Sequence, residues 1–466
     1  MLQKKIRMNM LRTLVYSCYG TQILMQSIKG QTGSHLKNIV YYPAVRDNKT
    51  LGDLFNRVSW YFPDSENSKA NVIILVKDDL LKVDPRSLVP PDYEYNYIGK
   101  STKIRMNSAK DFNLSDADAI MVWDKRSLFS PIILSYMNKV NIVDPTYYFS
   151  VEADAHRRMY NKTVTDKNHE KFLELSRKNY RDLIEKMKIY DRAYLFGTGP
   201  SLEKHGMDFD YDDGFRVVCN SIVKNKDLMN HIKPHLLVLG DAVHHMSPSH
   251  YTAIFWRDVL KAVNKFQCNI LTEDYHLPLI LAHFPGLKSK LIGLDVPGVW
   301  DMSIKEILEM ILRRPTKIPW FDKIPGHDEK FNFPTPDKMY VRLTGSVLPS
   351  HMIPVASAIC KNIFIIGADG RDPGGRQPDE KYIWSYSSTC QYDERTSMRT
   401  NPSYYRDRPL TEDFDIYCEN FDDLVRYGEL KGKKYFSLTP SYIPALARRF
   451  CSSYGTDNQN GGDERT

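Results

Sequence analysis

A glycine-rich turn between a strand and a helix is the strongest candidate for a phosphate-binding element in this sequence. It follows the apolar run 193–196 and consists of Gly197, Thr198, Gly199, Pro200 and Ser201. Glycine allows a tight turn close to a ligand, and proline suits the first turn of a helix. The amides of that helix start and the Ser201 hydroxyl could hold a phosphate, although an ordinary strand-to-helix turn has the same pattern. The third glycine of the dinucleotide fingerprint is absent.

Polar residues also follow the next two apolar runs, 215–219 and 236–239. Parallel sheets bind ligands at the carboxyl ends of their strands, so these positions are candidate contacts. Asn220 and Ser221 come after the first run, where they could contact a base or ribose, or could cap a helix. Asp241 comes after the second run and could bind a ribose, a sugar hydroxyl or a metal.

Two further groups complete the candidate site. Thr344, Gly345 and Ser346 open a predicted helix over 346–360, so their amides could face a nucleotide or a sugar carboxylate. A helix N-cap made by the threonine or the serine explains the same residues. The adjacent histidines 244 and 245 do not predict a metal site, because neighbouring residues of a strand point to opposite faces.

The last apolar run, 363–366, is followed by Asp369 and Arg371, and Tyr382 lies further along. A phosphate leaving group needs its charge neutralised when no metal is present. Arginine and tyrosine side chains can supply this, although a solvated loop would have a similar composition.

Short apolar runs with β-branched residues predict the strands that would position these groups. They lie at 38–42, 71–76, 119–123, 140–143, 193–196, 215–219, 236–239, 269–271, 290–292 and 363–366. Helical patterns between them, including a long one over 164–188, indicate an α/β protein with two Rossmann-like domains. We expect parallel sheets joined by a long helix, with lid insertions in the second domain.

The predicted organisation has five segments. They are an N-terminal helical segment over 1–36, a Rossmann-like domain over 37–150, a connecting helix over 151–189, a nucleotide-sugar-binding catalytic domain over 190–450 and a disordered tail over 451–466. The lid insertions are expected at 314–339 and 370–412, because long loops in compact domains are often lids.

Composition narrows the function classes. The net charge of +7 on 466 residues suits anionic substrates or an anionic membrane surface, and is too evenly spread to predict nucleic-acid binding. Seven scattered cysteines form no CxxC pair, which favours reduced thiols over a zinc site or a disulfide framework. The N-terminal stretch 11–25 is too short and polar to span a bilayer. We therefore expect a cytoplasmic protein, with peripheral association at the inner face of the membrane.

The order of these motifs over residues 190–450 resembles the bacterial sialyltransferases that act on lipooligosaccharides. It also resembles the related motility-associated-factor glycosyltransferases that modify flagellin. The shared features are a GxGPSL loop at 197–202, Cys-Asn at 219–220, Ile-Lys-Pro-His at 232–235 before a strand ending in Gly-Asp, Thr-Gly-Ser at 344–346, and Ile-Ile-Gly-Ala-Asp at 365–369. The first 190 residues lie outside this resemblance.

The resemblance implies a glycosyltransferase that moves a sialic acid-like or Kdo-like nonulosonic acid from a CMP-activated donor, without a metal or other cofactor. Its partners would be the nucleotide sugar and a cell-surface glycan or glycoprotein acceptor. Thr198 would lie beside the donor, where the family usually has Asn, and Ser201 and Asn220 would contact the nucleotide. The 344–346 segment would face the donor sugar and phosphate.

Two departures from the family concern catalysis. Arg371 and Tyr382 fall near the family's two tyrosines that stabilise the leaving phosphate, so an arginine replaces one of them. The family's lid histidine is missing from 403–408, which leaves Asp407, His351 or Asp241 as the replacement base.

Two other functions fit some of these residues. A magnesium-dependent pterin-type pyrophosphokinase would have a similar glycine loop and could use carboxylates at positions 241, 369 and 372. A non-catalytic scaffold domain of a glycan-assembly complex would bind no nucleotide at all. A magnesium requirement and nucleotide binding discriminate among these readings.

Overall fold

The computed structural model describes residues 36–88, 103–147, 151–240, 242–297, 323–371, 386–411 and 414–451. They form an α/β protein with two sheets, and all the strand pairs within both sheets are parallel. This confirms the predicted fold class. The N-terminal segment 1–35 and the tail 452–466, for which the sequence predicts a helix and disorder, lie outside the described residues.

The first sheet has five strands in the order β3-β2-β1-β4-β5. They are β1 Asn38–Val45, β2 Asn71–Val76, β3 Ile104–Ser108, β4 Ala119–Val122 and β5 Val140–Ile142. The order reverses between β1 and β4, as in a doubly wound sheet.

The second sheet has seven strands in the order β10-β9-β8-β7-β6-β11-β12. They are β6 Arg192–Phe196, β7 Phe215–Cys219, β8 Leu236–Val238, β9 Asn269–Glu273, β10 Leu291–Leu294, β11 Asn362–Ile366 and β12 Lys434–Ser437. The chain runs outward from β6 to β10 and then returns to β11 on the other side of β6. The strand order therefore switches between β6 and β11, which is where such sheets open a crevice for ligands.

The described helices lie around these sheets. They are α1 Asn48–Tyr61, α2 Pro131–Ser135, α3 Val151–Thr163, α4 Asp166–Met187, α5 Pro200–His205, α6 Lys226–Ile232, α7 Ala242–His245, α8 His250–Phe266, α9 Leu277–His283, α10 Ile353–Ile359, α11 Arg395–Met398, α12 Pro402–Thr411, α13 Phe414–Leu430 and α14 Pro444–Ala447. None of them is long and apolar enough to cross a membrane.

The segment between the two sheets differs from the single long helix that the sequence predicts. It is two helices, α3 and α4, and Thr165 caps the second by accepting a hydrogen bond from the amide of Asn168. Helix α4 also packs into the second sheet. The Ser176 hydroxyl donates to the Gly293 carbonyl at 3.0 Å, and Asn179 donates to the Leu291 carbonyl at 2.8 Å. These bonds cover the main chain of the edge strand β10, which would otherwise be unpaired.

Trp60 of α1 links the helices of the first sheet to those of the second. Its indole Nε1 donates to the Met246 carbonyl at 3.1 Å, and its ring stacks on His283 of α9 at 4.1 Å. Burial lowers the pKa of His283 to about 4, so the neutral imidazole can donate its Nε2 proton to the Trp60 carbonyl, 2.8 Å away. This buried contact ties the two sheets together.

Replacing Trp60 should therefore weaken the whole protein. We expect Trp60→Ala to lower the free energy of unfolding by about 3–5 kcal/mol, because it leaves a large cavity and removes the indole donor from the Met246 carbonyl. Denaturant unfolding followed by circular dichroism measures this. The control is Leu430→Ala at an 87% exposed position, with an expected change within about 0.5 kcal/mol. Equal stabilities of the two variants would contradict this role of Trp60.

Candidate functional site

The glycine turn packs directly against the end of β11 at the point where the strand order reverses. The amide of Gly197 donates to the Ile366 carbonyl at 2.8 Å, and that of Gly199 donates to the Gly367 carbonyl at 2.9 Å. A Cβ atom on Gly197 would lie 2.4 Å from the Gly367 oxygen. The turn thus requires glycine because another main chain lies against it.

The start of α5 binds a carboxylate side chain of the protein itself, that of Asp369. The Asp369 carboxylate accepts hydrogen bonds from the Ser201 amide at 3.0 Å and from the Ser201 hydroxyl at 2.7 Å. Burial raises the pKa of Asp369, while these two bonds lower it in part. The sequence predicts Ser201 and Asp369 as ligand contacts, and the structure brings them together as partners. Asp369 therefore occupies the position at which the sequence predicts a phosphate.

A second set of predicted residues converges one strand further along. Asn220 follows β7 with a left-handed backbone (φ 47°), a conformation that asparagine tolerates better than most residues. Its carboxamide oxygen accepts a hydrogen bond from the Gly240 amide at 3.1 Å. A Cβ atom on Gly240 would lie 2.8 Å from the side chain of Val347. The carboxyl ends of β7 and β8 therefore lie against the segment that follows Ser346.

The 344–346 segment is positioned by its own loop. The amide of Thr344 donates to the Ser350 hydroxyl at 2.9 Å, and the two hydroxyls are also 2.9 Å apart. Thr344 is buried, whereas Gly345 (φ 85°) is exposed and Ser346 is half-buried. A π-helical turn, Leu348–Met352, precedes α10, and no side chain caps its start. Thr344 thus supports the loop, Gly345 is exposed, and the Ser346 hydroxyl donates to that of Tyr417 at 3.5 Å.

Arg342 is a buried cation that the sequence analysis does not single out. Its guanidinium donates to the Asn420 carboxamide at 3.1 Å and lies over the Phe331 ring at 4.8 Å. The usable signal is an arginine in the otherwise apolar run 340–343, directly before Thr344. Arg342 is buried and directly precedes Thr344, so its positive charge lies next to the 344–346 segment along the chain.

The segment 386–406 covers the glycine turn and the end of β7 and is called the lid here. The amide of Ser387 donates to the Thr198 carbonyl at 2.7 Å. The Ser221 hydroxyl donates to Gln391 at 2.7 Å, and Lys224 donates to the Ser388 carbonyl at 2.9 Å. Ser221 therefore anchors the lid in this structure, although the sequence predicts it as a nucleotide contact.

The lid also reaches the first sheet. The amide of Ser403 donates to the Pro145 carbonyl at 3.2 Å, just after β5, and Arg406 donates to the Thr146 carbonyl at 2.8 Å. On the other side, Arg57 of α1 donates to the Thr400 carbonyl at 2.9 Å. The lid therefore contacts both the carboxyl edge and a helix of the first sheet's domain, in addition to the glycine turn of the second sheet.

The predicted catalytic residues are placed unequally. His351 is 2% exposed, and burial lowers its pKa to about 4, so a glycan acceptor could not easily reach it. Arg371 is exposed, directly before the undescribed segment. Asp241 and Tyr382 lie outside the described residues, as does the side chain of Asp407. These roles stay predictions.

A buried polar cluster lies at the carboxyl end of β9. Glu273 ends that strand, with a carboxylate oxygen 3.7 Å from Nε2 of His276. Burial raises the pKa of Glu273 to about 7, and a hydrogen bond from Tyr275 and the charge of Arg157 offset part of that rise. Among the described residues, no group of three or more His, Cys, Asp or Glu side chains could hold a metal ion.

Gly199 gives a direct test of the glycine turn. A Cβ atom there would lie 2.1 Å from the Asp369 carboxylate and 2.7 Å from the Gly367 carbonyl oxygen. We expect Gly199→Ala to displace Asp369 and lower the thermal midpoint by several degrees, as a loss of about 1–3 kcal/mol would. Gly286→Ala is the control, because nothing lies within 4 Å of its Cβ position. Differential scanning calorimetry compares them, and equal midpoints would refute the close approach.

The raised pKa of Glu273 predicts a pH-dependent stability. Above its ordinary value of 4.5 the unfolded carboxyl ionises, while the folded one stays protonated to about 7. Ionisation therefore favours unfolding, and the penalty grows through that window and is complete above it. Glu273→Gln should stabilise the fold at pH 8 by on the order of 3 kcal/mol, and by little at pH 4.5. Urea unfolding at both pH values checks this, and an equal gain at both would contradict it.

Comparison with known protein families found no match, and comparison with curated proteins found none either. Solved sialyltransferase structures are similar to part of the chain. Monofunctional alpha-2,3-sialyltransferase Cst-I from Campylobacter jejuni is 15% identical over 59% of this chain and 83% of its own, with a TM-score of 0.31. CstII from the same organism, in complex with the substrate analogue cytidine-5'-monophosphate, is 14% identical over 54% of this chain and 80% of its own, with a TM-score of 0.28. CstII with a trisaccharide acceptor and CMP is 15% identical over 53% and 81%, with a TM-score of 0.28. Similarity at this level does not establish any particular activity for this chain.

Proposed function

We propose that the chain is a glycosyltransferase that moves a nonulosonic acid, of the sialic acid or Kdo type, from a CMP-activated donor to a glycan or protein acceptor. One observation carries the proposal. Asn220 bonds Gly240, and Gly240 lies against Val347 directly after the 344–346 segment, so distant parts of the sequence meet at the carboxyl edge of the second sheet. This is the edge at which doubly wound sheets bind nucleotides.

The nucleotide would lie across the ends of β6 and β7. Asn220 has its oxygen fixed by Gly240, and its carboxamide nitrogen donates to no described residue, so it can donate to a base or ribose. Its left-handed backbone supports a binding role, because strained conformations are often retained at functional sites. Thr198, half-buried in the turn, would border the donor.

The phosphate would lie over the 344–346 segment and not at the start of α5. Gly345 and Ser346 can present amides to it, and no metal is needed if arginines neutralise the charge. Arg342 and Arg371 are our candidates for that task, together with Tyr382. Ser201 and Asp369 would then act as a fixed pair that holds the turn in place.

The acceptor would enter between the lid and the first sheet. The lid is bonded to Pro145 and Thr146 at one side and to Thr198 at the other, so an acceptor bound there would lie close to the donor. The net charge of +7 supports a cytoplasmic enzyme that associates peripherally with an anionic inner membrane face.

A thermal-shift panel of CMP, CDP, UDP, GDP and ATP, each with and without magnesium, tests the donor class. CMP at a hundredfold its dissociation constant should stabilise the fold by about 2.7 kcal/mol without magnesium. ATP stabilisation that requires magnesium would favour a pyrophosphokinase, and no stabilisation by any nucleotide would favour a scaffold.

A pair of variants links the CMP effect to the proposed site. Asn220→Ala should weaken CMP binding at least tenfold, since it removes a donor and relaxes the Gly240 contact. Asn230→Ala is the control, because Asn230 lies exposed on α6 and its side chain accepts a hydrogen bond from Lys265, away from the strand ends. Isothermal titration calorimetry measures the CMP affinity of both variants. Equal affinities would mean that the nucleotide does not bind at Asn220.

A further inference from the structure

We propose that Tyr405 of the lid and His244 of α7 form a proton relay that removes the acceptor proton during glycosyl transfer. The proposal rests on the proposed function. It assigns the base that the missing lid histidine leaves open, and it uses two residues outside the predicted catalytic set.

Contacts between the lid and α7 define the pair. The Tyr405 hydroxyl lies 3.2 Å from Nδ1 of His244, and the Ser397 hydroxyl lies 3.3 Å from the same nitrogen. Ser397 also contacts the Tyr405 hydroxyl directly. The three groups thus form a closed hydrogen-bonded set, which fixes the direction in which the tyrosine hydroxyl points.

Packing holds the imidazole in one orientation. His244 is 2% exposed, its ring lies 4.8 Å from that of Tyr251 and 5.3 Å from that of Tyr404, and its carbonyl accepts a hydrogen bond from Thr252. Tyr405 is only half-buried. The tyrosine is therefore the more accessible member of the pair, and we assign it the contact with the acceptor.

The pair lies close to the proposed donor edge. His244 follows Gly240 by four residues along the chain, and the Gly240 amide bonds Asn220 at that edge. The lid connects the same places, because Gln391 bonds Ser221 beside Asn220 and Tyr405 follows in the same segment. Both members are thus fixed beside the place where the anomeric carbon would lie.

The step balances as a single displacement. The acceptor hydroxyl gives its proton to the Tyr405 oxygen as its own oxygen forms a bond to the anomeric carbon. Tyr405 passes its proton to Nδ1 of His244, which must be the unprotonated nitrogen at the start. The bond between the anomeric carbon and the phosphate oxygen breaks, and its electron pair leaves with CMP. The imidazolium then returns its proton to solvent.

The pH dependence follows from the histidine. The titratable groups that pack against its ring are Tyr251 of α8 and Tyr404 and Tyr405 of α12. A protonated imidazole cannot accept a proton, so the transfer rate should fall toward acidic pH.

Two single substitutions test the relay. The assay is CMP release from CMP-N-acetylneuraminic acid, in water alone or with an added lactoside as acceptor. His244→Asn keeps a hydrogen-bond acceptor near the Nδ1 position but cannot take the proton. Tyr405→Phe keeps the ring and removes the hydroxyl. Both should lower kcat by about 10²–10⁴-fold with CMP affinity unchanged. His244→Asn should also lose the acidic limb of the pH profile.

Tyr190→Phe is the control, because this half-buried tyrosine precedes β6 at the opposite, amino edge of the second sheet, and it should change kcat less than about threefold. A retained acidic limb in His244→Asn, or equal losses in the two tyrosine variants, would overturn the relay while CMP binding still supports the transferase. Absence of CMP stabilisation in the unsubstituted chain would overturn the transferase and the relay together.

Discussion

The close approach of two main chains at the strand-order switch is the constraint on which the candidate site depends. The turn after β6 lies so near the segment after β11 that a Cβ atom at Gly197 or Gly199 would overlap carbonyl or carboxylate oxygens. This approach brings Asp369 under the start of α5, where it takes both donors of Ser201. These hydrogen bonds hold the turn in place, and the proposed ligand site lies beside the turn and not on it.

Two parts of the same sheet edge therefore have different roles, one structural and one proposed for ligand binding. The α5 start is filled by a carboxylate, so a second anion there would be repelled. One strand further along, Gly240 and Gly345 are exposed, and the buried Arg342 precedes the 344–346 segment. We therefore propose that the chemistry takes place between β7, β8 and the 344–346 segment, with the glycine turn as its support.

The sequence predicts the interior of this protein better than its edges, and the reason is physical. Central strands are continuous apolar runs because both their faces are buried, and such runs are visible in the sequence. Strands β3 and β12 carry Arg105, Asn107 and Lys434 at the sheet edges, so no apolar run marks them. The Ser201–Asp369 pair joins residues 168 positions apart, and no local pattern encodes such a contact.

The proposed catalytic base is a second case in which a contact between distant residues leaves no local sequence pattern. The resemblance described above predicts a histidine within residues 403–408, and the sequence has Tyr404 and Tyr405 there instead. In the folded chain a histidine from the end of β8 contacts one of those tyrosines, so the imidazole lies one hydrogen bond behind the lid surface. Moving the base to a fixed helix removes the need for the lid to carry the charge. The lid then has only to present a hydroxyl, which a half-buried tyrosine does without the cost of desolvating a cation.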